Sequence, residues 1–273
     1  MIPAAPYMDM HMHILPGVDD GSDSMECTIN MLKQAEAEGV RVIVATPHFG
    51  IRNTGLRVEE ELKQLAIVRK AAEEYTPGLK LVLGNELFYT DGVASALKRG
   101  EAKTMAGTSY ALVEFSTSDS YDRICKCIRE FTWEGYRPII AHLERYRDLE
   151  GDIEAVQSLV DQGAVVQINC RSFIDGSTHK TESQEHTKRR GLFGRRSQSN
   201  QTGFFLERKG EWARELLEAG LVHLIASDAH DDRFRNPVYR TALESMQDYC
   251  DEETLINIAK RNPLRLLKNE PIV

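Results

Sequence analysis

Long apolar runs are missing from this 273-residue chain. The most hydrophobic stretches, such as 42–45, fall far short of the roughly 20 residues that a membrane helix needs. The opening MIPAAPYMDMHMH holds no Lys or Arg and reaches Asp9 before any apolar stretch develops, so no signal peptide is expected. Cysteine is scarce: five residues, an odd number with no CxxC spacing. That argues against a disulfide framework and for a reducing compartment, so a cytoplasmic location is expected. A basic excess is also absent, since 34 Lys and Arg face 42 Asp and Glu for a net charge of −8. Binders of nucleic acid or of membrane surfaces are normally basic, so neither class is expected.

Several catalytic signatures are lacking too. No GxGxxG follows a strand candidate, and neither a GK[ST] P-loop nor a GxSxG elbow occurs. No cysteine is followed six residues later by Arg, those positions holding Lys33, Phe131, Trp133, Gly176 and Ile256. A thiolate phosphatase loop is thereby excluded.

What remains is an ordinary globular composition, 41% hydrophobic and 28% charged. Short Val- and Ile-rich runs alternate with amphipathic segments to the end of the chain. Strands are expected over 7–13, 41–46, 79–86, 110–115, 138–142, 164–169 and 222–227, several apolar on both faces as in parallel sheets. Helices are expected over 23–38, 57–75, 121–134, 150–162, 206–219 and 238–260. The first has Ser22 or Asp23 as N-cap, and Gly39, Gly163 and Gly220 stand just past helix ends. Seven strands, each followed by helical sequence, predict an α/β fold: one (β/α) barrel over 1–273 rather than two domains. One stretch breaks the rhythm. Residues 177–203 are polar, with six Lys or Arg against two Glu, and are expected to be a loop insertion of local charge +4.

The carboxyl ends of the expected strands carry the chemistry. They deliver His11 and His13, then His48, Glu86, Glu114, His142, Asn169, and finally Asp228 with His230. Each alone is an ordinary structural or solvated residue. Together, at equivalent positions on the face where such barrels place their sites, they point to a metal centre. In MDMHMH, strand alternation puts Asp9, His11 and His13 on one face and Met8, Met10 and Met12 on the other. Asp19-Asp20-Gly21 forms a turn in which either carboxylate could face inward. Five imidazoles with carboxylates and no thiolate suit Mn²⁺, Fe²⁺ or Zn²⁺. About nine ligands exceed what one ion takes, so two or three ions and metal-assisted hydrolysis are expected. Arg145 and Arg235 lie in loops just beyond ligand strands, where a guanidinium can hold a phosphate bidentately.

The segments DMHMHILPGVDDG, ATPHF, GNELFY, YALVEFS, IAHLERY and IASDAH resemble, in order, the motifs of the PHP (polymerase and histidinol phosphatase) superfamily. The words LPGVDDG, VEFS and AHLERY are similar to its branch of manganese-dependent protein-tyrosine phosphatases of bacterial capsule and exopolysaccharide operons. The resemblance runs from about residue 8 to 267 and departs at 177–203 and in the MIPAAPY extension. It implies a distorted (β/α)₇ barrel with three metal ions, usually Mn²⁺. One would be held by His11, His13, Glu86 and Asp228. Glu86 would bridge to a second, shared with Glu114 and His142, and Asp20, His48 and His230 would hold a third. Arg145 and Arg235 match phosphate-binding positions. The implied reaction is attack of a metal-bridging hydroxide on phosphotyrosine, with phenolate leaving. The implied partner is a capsule or exopolysaccharide tyrosine kinase with a tyrosine-rich tail. Rival readings are a histidinol-phosphate-type phosphatase or metal-dependent nuclease of the same superfamily, an amidohydrolase, and a non-catalytic metal-bound kinase regulator.

Overall fold

The computed structural model describes residues 1–50, 57–174 and 199–273. Every expected strand segment forms, and all strand pairings are parallel. One sheet contains β1 (Tyr7–Met12), β2 (Val40–Ala45) and β4 (Lys80–Leu83), in the order β1-β2-β4. The other contains β3 (His48–Phe49), β5 (Glu86–Phe88), β6 (Tyr110–Glu114), β7 (Arg137–Ile140), β8 (Val165–Asn169) and β9 (Leu224–Ala226), adjacent in that order. The sheets meet where β1 passes the end of β9: the Asp228 amide donates to His11 O and the His13 amide to Ala229 O, each at 2.9 Å. The result is a curled parallel sheet.

The strand expected over 79–86 is broken in two, and β3 is an extra short strand. Thr46-Pro47 separates β2 from β3 and Gly84-Asn85 separates β4 from β5. Pro47 has no N–H for the ladder. The buried Asn85 amide takes over: it accepts from the Lys103 amide at 2.7 Å and donates to Pro47 O at 3.0 Å and to Glu61 Oε1 at 3.1 Å. His48 and Glu86, each one residue past these breaks, are thereby held opposite one another in register.

Pleating sorts the strand residues onto two faces. Val44, Leu112, Ile139, Val165 and Leu224 pack with Met10 and with Leu266 in an inner cluster. Their chain neighbours Ile43, Val113, Ile140, Val166 and Ile225 join an outer cluster with helix residues such as Met31 and Leu32. The helices of that outer layer are α1 (Met25–Ala37), α2 (Val58–Tyr75), α3 (Val93–Arg99), α4 (Tyr121–Trp133), α5 (Ile153–Asp161), α6 (Ser199–Glu218), α7 (Arg240–Met246) and α8 (Glu252–Ile256), whereas α9 (Asn262–Leu267) places Leu266 in the inner cluster. The N-cap of α1 is Ser24, whose side chain accepts from the Cys27 amide, rather than Ser22 or Asp23. The helix expected over 238–260 is interrupted, and Asp251 caps α8 by accepting from Thr254. Most of the polar insertion expected over 177–203 lies outside the described residues, and its last five positions belong to α6.

Strict alternation fails in β1. Between the pairs Asp9–Ile43 and Met12–Ala45, β1 advances three residues while β2 advances two. The extra residue is a bulge, and it changes which face follows. Tyr7 lies in the outer cluster, Met10 in the inner one, and Met12 in the outer one again. Asp9 does not share a face with His11 and His13: it accepts from the backbone amides of Ser227 and His11 at 3.1 and 3.2 Å, and burial pushes its carboxyl up to about 6.

Candidate metal centre

The curl brings His11, His13, Asp20, His48, Glu86, Glu114, His142, Asp228 and His230 to the carboxyl edge of the sheet, eight of them largely buried and Asp20 62% exposed on its side chain. Two of the positions demand unusual backbone. His142 and Asp228, each two residues beyond a strand, have φ of 35° and 49°. Left-handed conformations in non-glycine residues carry strain of about 1–3 kcal/mol each, which the surrounding structure must impose.

Glu86 sits at the hub. Its Oε2 lies 3.2 Å from His11 Nε2, 3.1 Å from His13 Nε2 and 3.1 Å from His48 Nδ1, while Oε1 lies 2.8 Å from His142 Nε2. Asp228 Oδ1 faces His11, His13 and His230 at 3.5–3.6 Å. Asp20 Oδ1 lies 3.3 Å from His48 Nε2 and 3.5 Å from His230 Nε2. Three overlapping groups have donor atoms mutually within 4.8 Å: His13, Asp20, His48 and His230; His11, His13 and Asp228; and His48, Glu86 and Glu114.

Three of the imidazoles are aimed by a partner on Nδ1, the usual way a histidine is fixed for a metal. Asp19 Oδ2 lies 2.7 Å from His13 Nδ1, and the same carboxylate accepts from the Gly21 and His48 amides. Gln167 Oε1 lies 3.2 Å from His11 Nδ1 and accepts from the His142 amide at 3.0 Å. His230 Nδ1 lies 2.9 Å from Asp228 O. In each case Nε2 is left to face inward. The turn therefore divides its labour: Asp19 orients and Asp20 faces the cluster. Asn169, the amide among the strand ends, donates to Asp228 Oδ2 at 2.8 Å and accepts from Gln167. Sequence reasoning missed Gln167, although a polar residue in the middle of the otherwise apolar run VVQI was a visible signal.

Charge crowding perturbs these groups strongly. Burial would raise the Glu86 carboxyl, but His11 and the other imidazoles hold it well below the usual range. Glu114 is pushed up to about 7 by burial and then by the charge of Glu86. Burial opposes a charge on His13, yet Asp19 and Glu86 lift its pKa well above the ordinary imidazole value. His142 is pushed down to about 4 by burial and the Arg145 charge. Imidazoles and carboxylates so close must share protons, and divalent cations relieve the same crowding by replacing them. The donor set fits such ions. Five imidazoles and four carboxylates converge without a thiol, His11 Nε2 and His13 Nε2 stand 3.1 Å apart, and buried Glu114 Oε2 has no hydrogen-bond partner.

Arg145 and Arg235 border the cluster. Both donate through Nη2 to Asp228 Oδ2, at 2.7 and 2.9 Å. Two partly exposed guanidiniums beside a group of buried imidazoles and carboxylates form a place for a multiply charged oxyanion.

A curled parallel sheet with this cluster at its carboxyl edge defines an α/β protein with a candidate metal centre. The chain belongs to the CpsB/CapC family of capsular polysaccharide synthesis, whose pattern matches residues 7–190 and 197–268. It is 30% identical over 268 residues to the tyrosine-protein phosphatase CpsB of Streptococcus agalactiae, covering 97% of this chain and all of that protein. It is 28% identical to the tyrosine-protein phosphatase YwqE of Bacillus subtilis, over 97% of this chain and 93% of that one. A crystal structure from the work on YwqE and Streptococcus pneumoniae CpsB, described as unique metal-dependent tyrosine phosphatases, superimposes with a TM-score of 0.80 at 27% identity. It covers 97% of this chain and 96% of that one.

Proposed function

We propose that this protein is a metal-dependent protein-tyrosine phosphatase. The observation that carries the reading is the shared Asp228 carboxylate, with Oδ1 toward three imidazoles and Oδ2 bonded to both Arg145 and Arg235. Family membership and the full-length similarity to named tyrosine phosphatases support it. We read residues 1–273 as one domain. With β2/β3 and β4/β5 each counted as one kinked strand, its sheet is a seven-stranded (β/α)₇ barrel of the PHP type.

The residues fit three Mn²⁺ ions, with Fe²⁺ or Zn²⁺ as substitutes. His11, His13, Glu86 and Asp228 would hold one; Glu86, Glu114 and His142 a second; Asp20, His48 and His230 a third. The closeness of His142 Nε2 to Glu86 Oε1 supports the second set. Bound ions of this kind supply Lewis-acid charge and lower the pKa of water toward neutrality. Arg145 and Arg235 bind the phosphate and neutralise charge spreading over its oxygens. Tyrosine, with a pKa near 10, is a tolerable leaving group, so the chain needs no strong general acid beside it.

The proposed substrate is a tyrosine-phosphorylated protein, a capsule or exopolysaccharide kinase tail. Five free cysteines, four of them buried, support a cytoplasmic location, and among the described residues no helix is long and apolar enough to cross a membrane. The test strips the protein of metal, reloads it with Mn²⁺, counts the ions, and compares a phosphotyrosine peptide with histidinol phosphate. Mn-dependent release from the peptide is expected. Preference for histidinol phosphate would move the function to a small-molecule phosphatase, and no turnover with metal bound would indicate a regulator.

A further inference from the structure

One large apolar side chain in the loop after β9 has no role so far. Phe234 is 83% exposed, and it stands one residue before Arg235, whose guanidinium reaches Asp228. The other large apolar side chains exposed among the described residues lie on α2, α4 or α9 or at the termini, so Phe234 alone occupies a loop that carries candidate site residues.

The exposure does not come from a slack loop. Asp231 Oδ1 accepts the backbone amides of Arg233, Phe234 and Arg235, and the His230 amide donates to Arg235 O at 2.9 Å. Asp232 ties the loop to α1: its carboxylate accepts from Asn30 at 2.7 Å and its carbonyl from Gln34 at 2.9 Å. Backbone from His230 to Arg235 is thus closed on itself, and Phe234 is presented outward from a fixed frame. A phosphate-holding pair of arginines cannot tell one phosphomonoester from another, because the phosphoryl group is common to all of them. The aryl ring that separates phosphotyrosine from phosphoserine needs an apolar face beside that pair, and aromatic rings prefer offset or edge-to-face contact with another ring.

Resting on the phosphatase reading, we propose that Phe234 is a specificity-determining residue: it provides the wall against which the aryl ring of the substrate packs while Arg145 and Arg235 hold the phosphate. A preorganised ring loses little freedom on binding, which favours the contact.

The experiment is titration calorimetry of the full-length, Mn²⁺-loaded protein with phenylphosphonate and with methylphosphonate. The wild type is expected to prefer the phenyl compound. Phe234→Ala should weaken phenylphosphonate about 3- to 10-fold, the scale of one ring–ring contact, and leave methylphosphonate unchanged. Phe234→Trp should retain the preference. Equal weakening of both ligands, or an unchanged ratio in Phe234→Ala, would overturn the proposal. Wild-type turnover of a phosphotyrosine peptide is read separately. Absent turnover with a ratio that still depends on Phe234 sinks the phosphatase reading and keeps the aryl wall; normal turnover with an unchanged ratio does the reverse.

Discussion

The Arg145 guanidinium donates to Asp228 Oδ2 at 2.7 Å, joining the turn after β7 to the turn after β9. Burial would raise the Asp228 carboxyl, but His11 and Arg145 hold it well below its ordinary range. Arg145→Ala is expected to lower kcat/KM for a phosphotyrosine peptide by about 10²–10³-fold, the scale for losing one preorganised charge contact. Metal content should stay the same. A loss under about threefold would remove Arg145 from the phosphate site.

Asp19 reaches the cluster through the His13 ring and the His48 amide, and accepts from the Gly21 amide as well. Asp19→Asn keeps the volume and removes the charge that orients His13. Metal affinity, read by competition with a chromogenic chelator, is expected to fall roughly 10–100-fold, as for other carboxylates that orient a metal-binding histidine. Unchanged affinity would mean that the bulge in β1 holds His13 without help.

Gly21 is required by space. A Cβ there would meet His13 Cβ and His13 O at 2.4 Å and Asp19 Oδ1 at 2.9 Å. Backbone cannot yield as a flexible side chain can, so Gly21→Ala must displace His13 or the turn. Thermal unfolding should show a loss on the order of 1–3 kcal/mol, with weakened metal binding alongside. A variant as stable and as metal-competent as the wild type would contradict the packing at this turn.

His223 lies away from the cluster, its Nδ1 accepting from the Val166 amide at 3.1 Å, and burial pushes its pKa down to about 4. An unfolded histidine protonates near 6.5. Between about 6.5 and 4 the unfolded chain therefore binds more protons, and stability falls as pH falls, by up to about 3 kcal/mol. Glu61, pushed up to about 7 mainly by burial, works with the opposite sign, losing stability as pH rises from its unfolded value toward 7. His223→Gln can still accept from Val166 and does not titrate. Urea unfolding of metal-stripped protein should show a shallower decline from pH 7 to 4.5 in the variant. Equal declines would assign the acid loss to other groups.

Much of this molecule is written in local pattern. Apolar Val- and Ile-rich runs announce the strands because a parallel strand is buried on both faces, and helix ends show through residues such as Gly39, whose φ of 88° suits a residue without Cβ. The ends of those runs also carry the residues of the candidate site, since a buried edge carrying five histidines has little structural use for them. Local pattern misleads where a partner distant in sequence intervenes. Period-two counting groups Asp9 with His11, but the bulge against β2 separates them. The break between β4 and β5 depends on Asn85 bonding to Pro47 O, and the aim of His11 depends on Gln167 across the sheet.

By itself, then, the sequence determined the parallel α/β class and which residue types arrive at the carboxyl ends of the strands, because both follow from periodicity along one segment. Only the tertiary structure decided that Asp19 orients while Asp20 faces the cluster, and that one carboxylate, Asp228, serves imidazoles and two arginines at once. Those outcomes turn on register and burial, which are set by strands that meet only when the sheet curls.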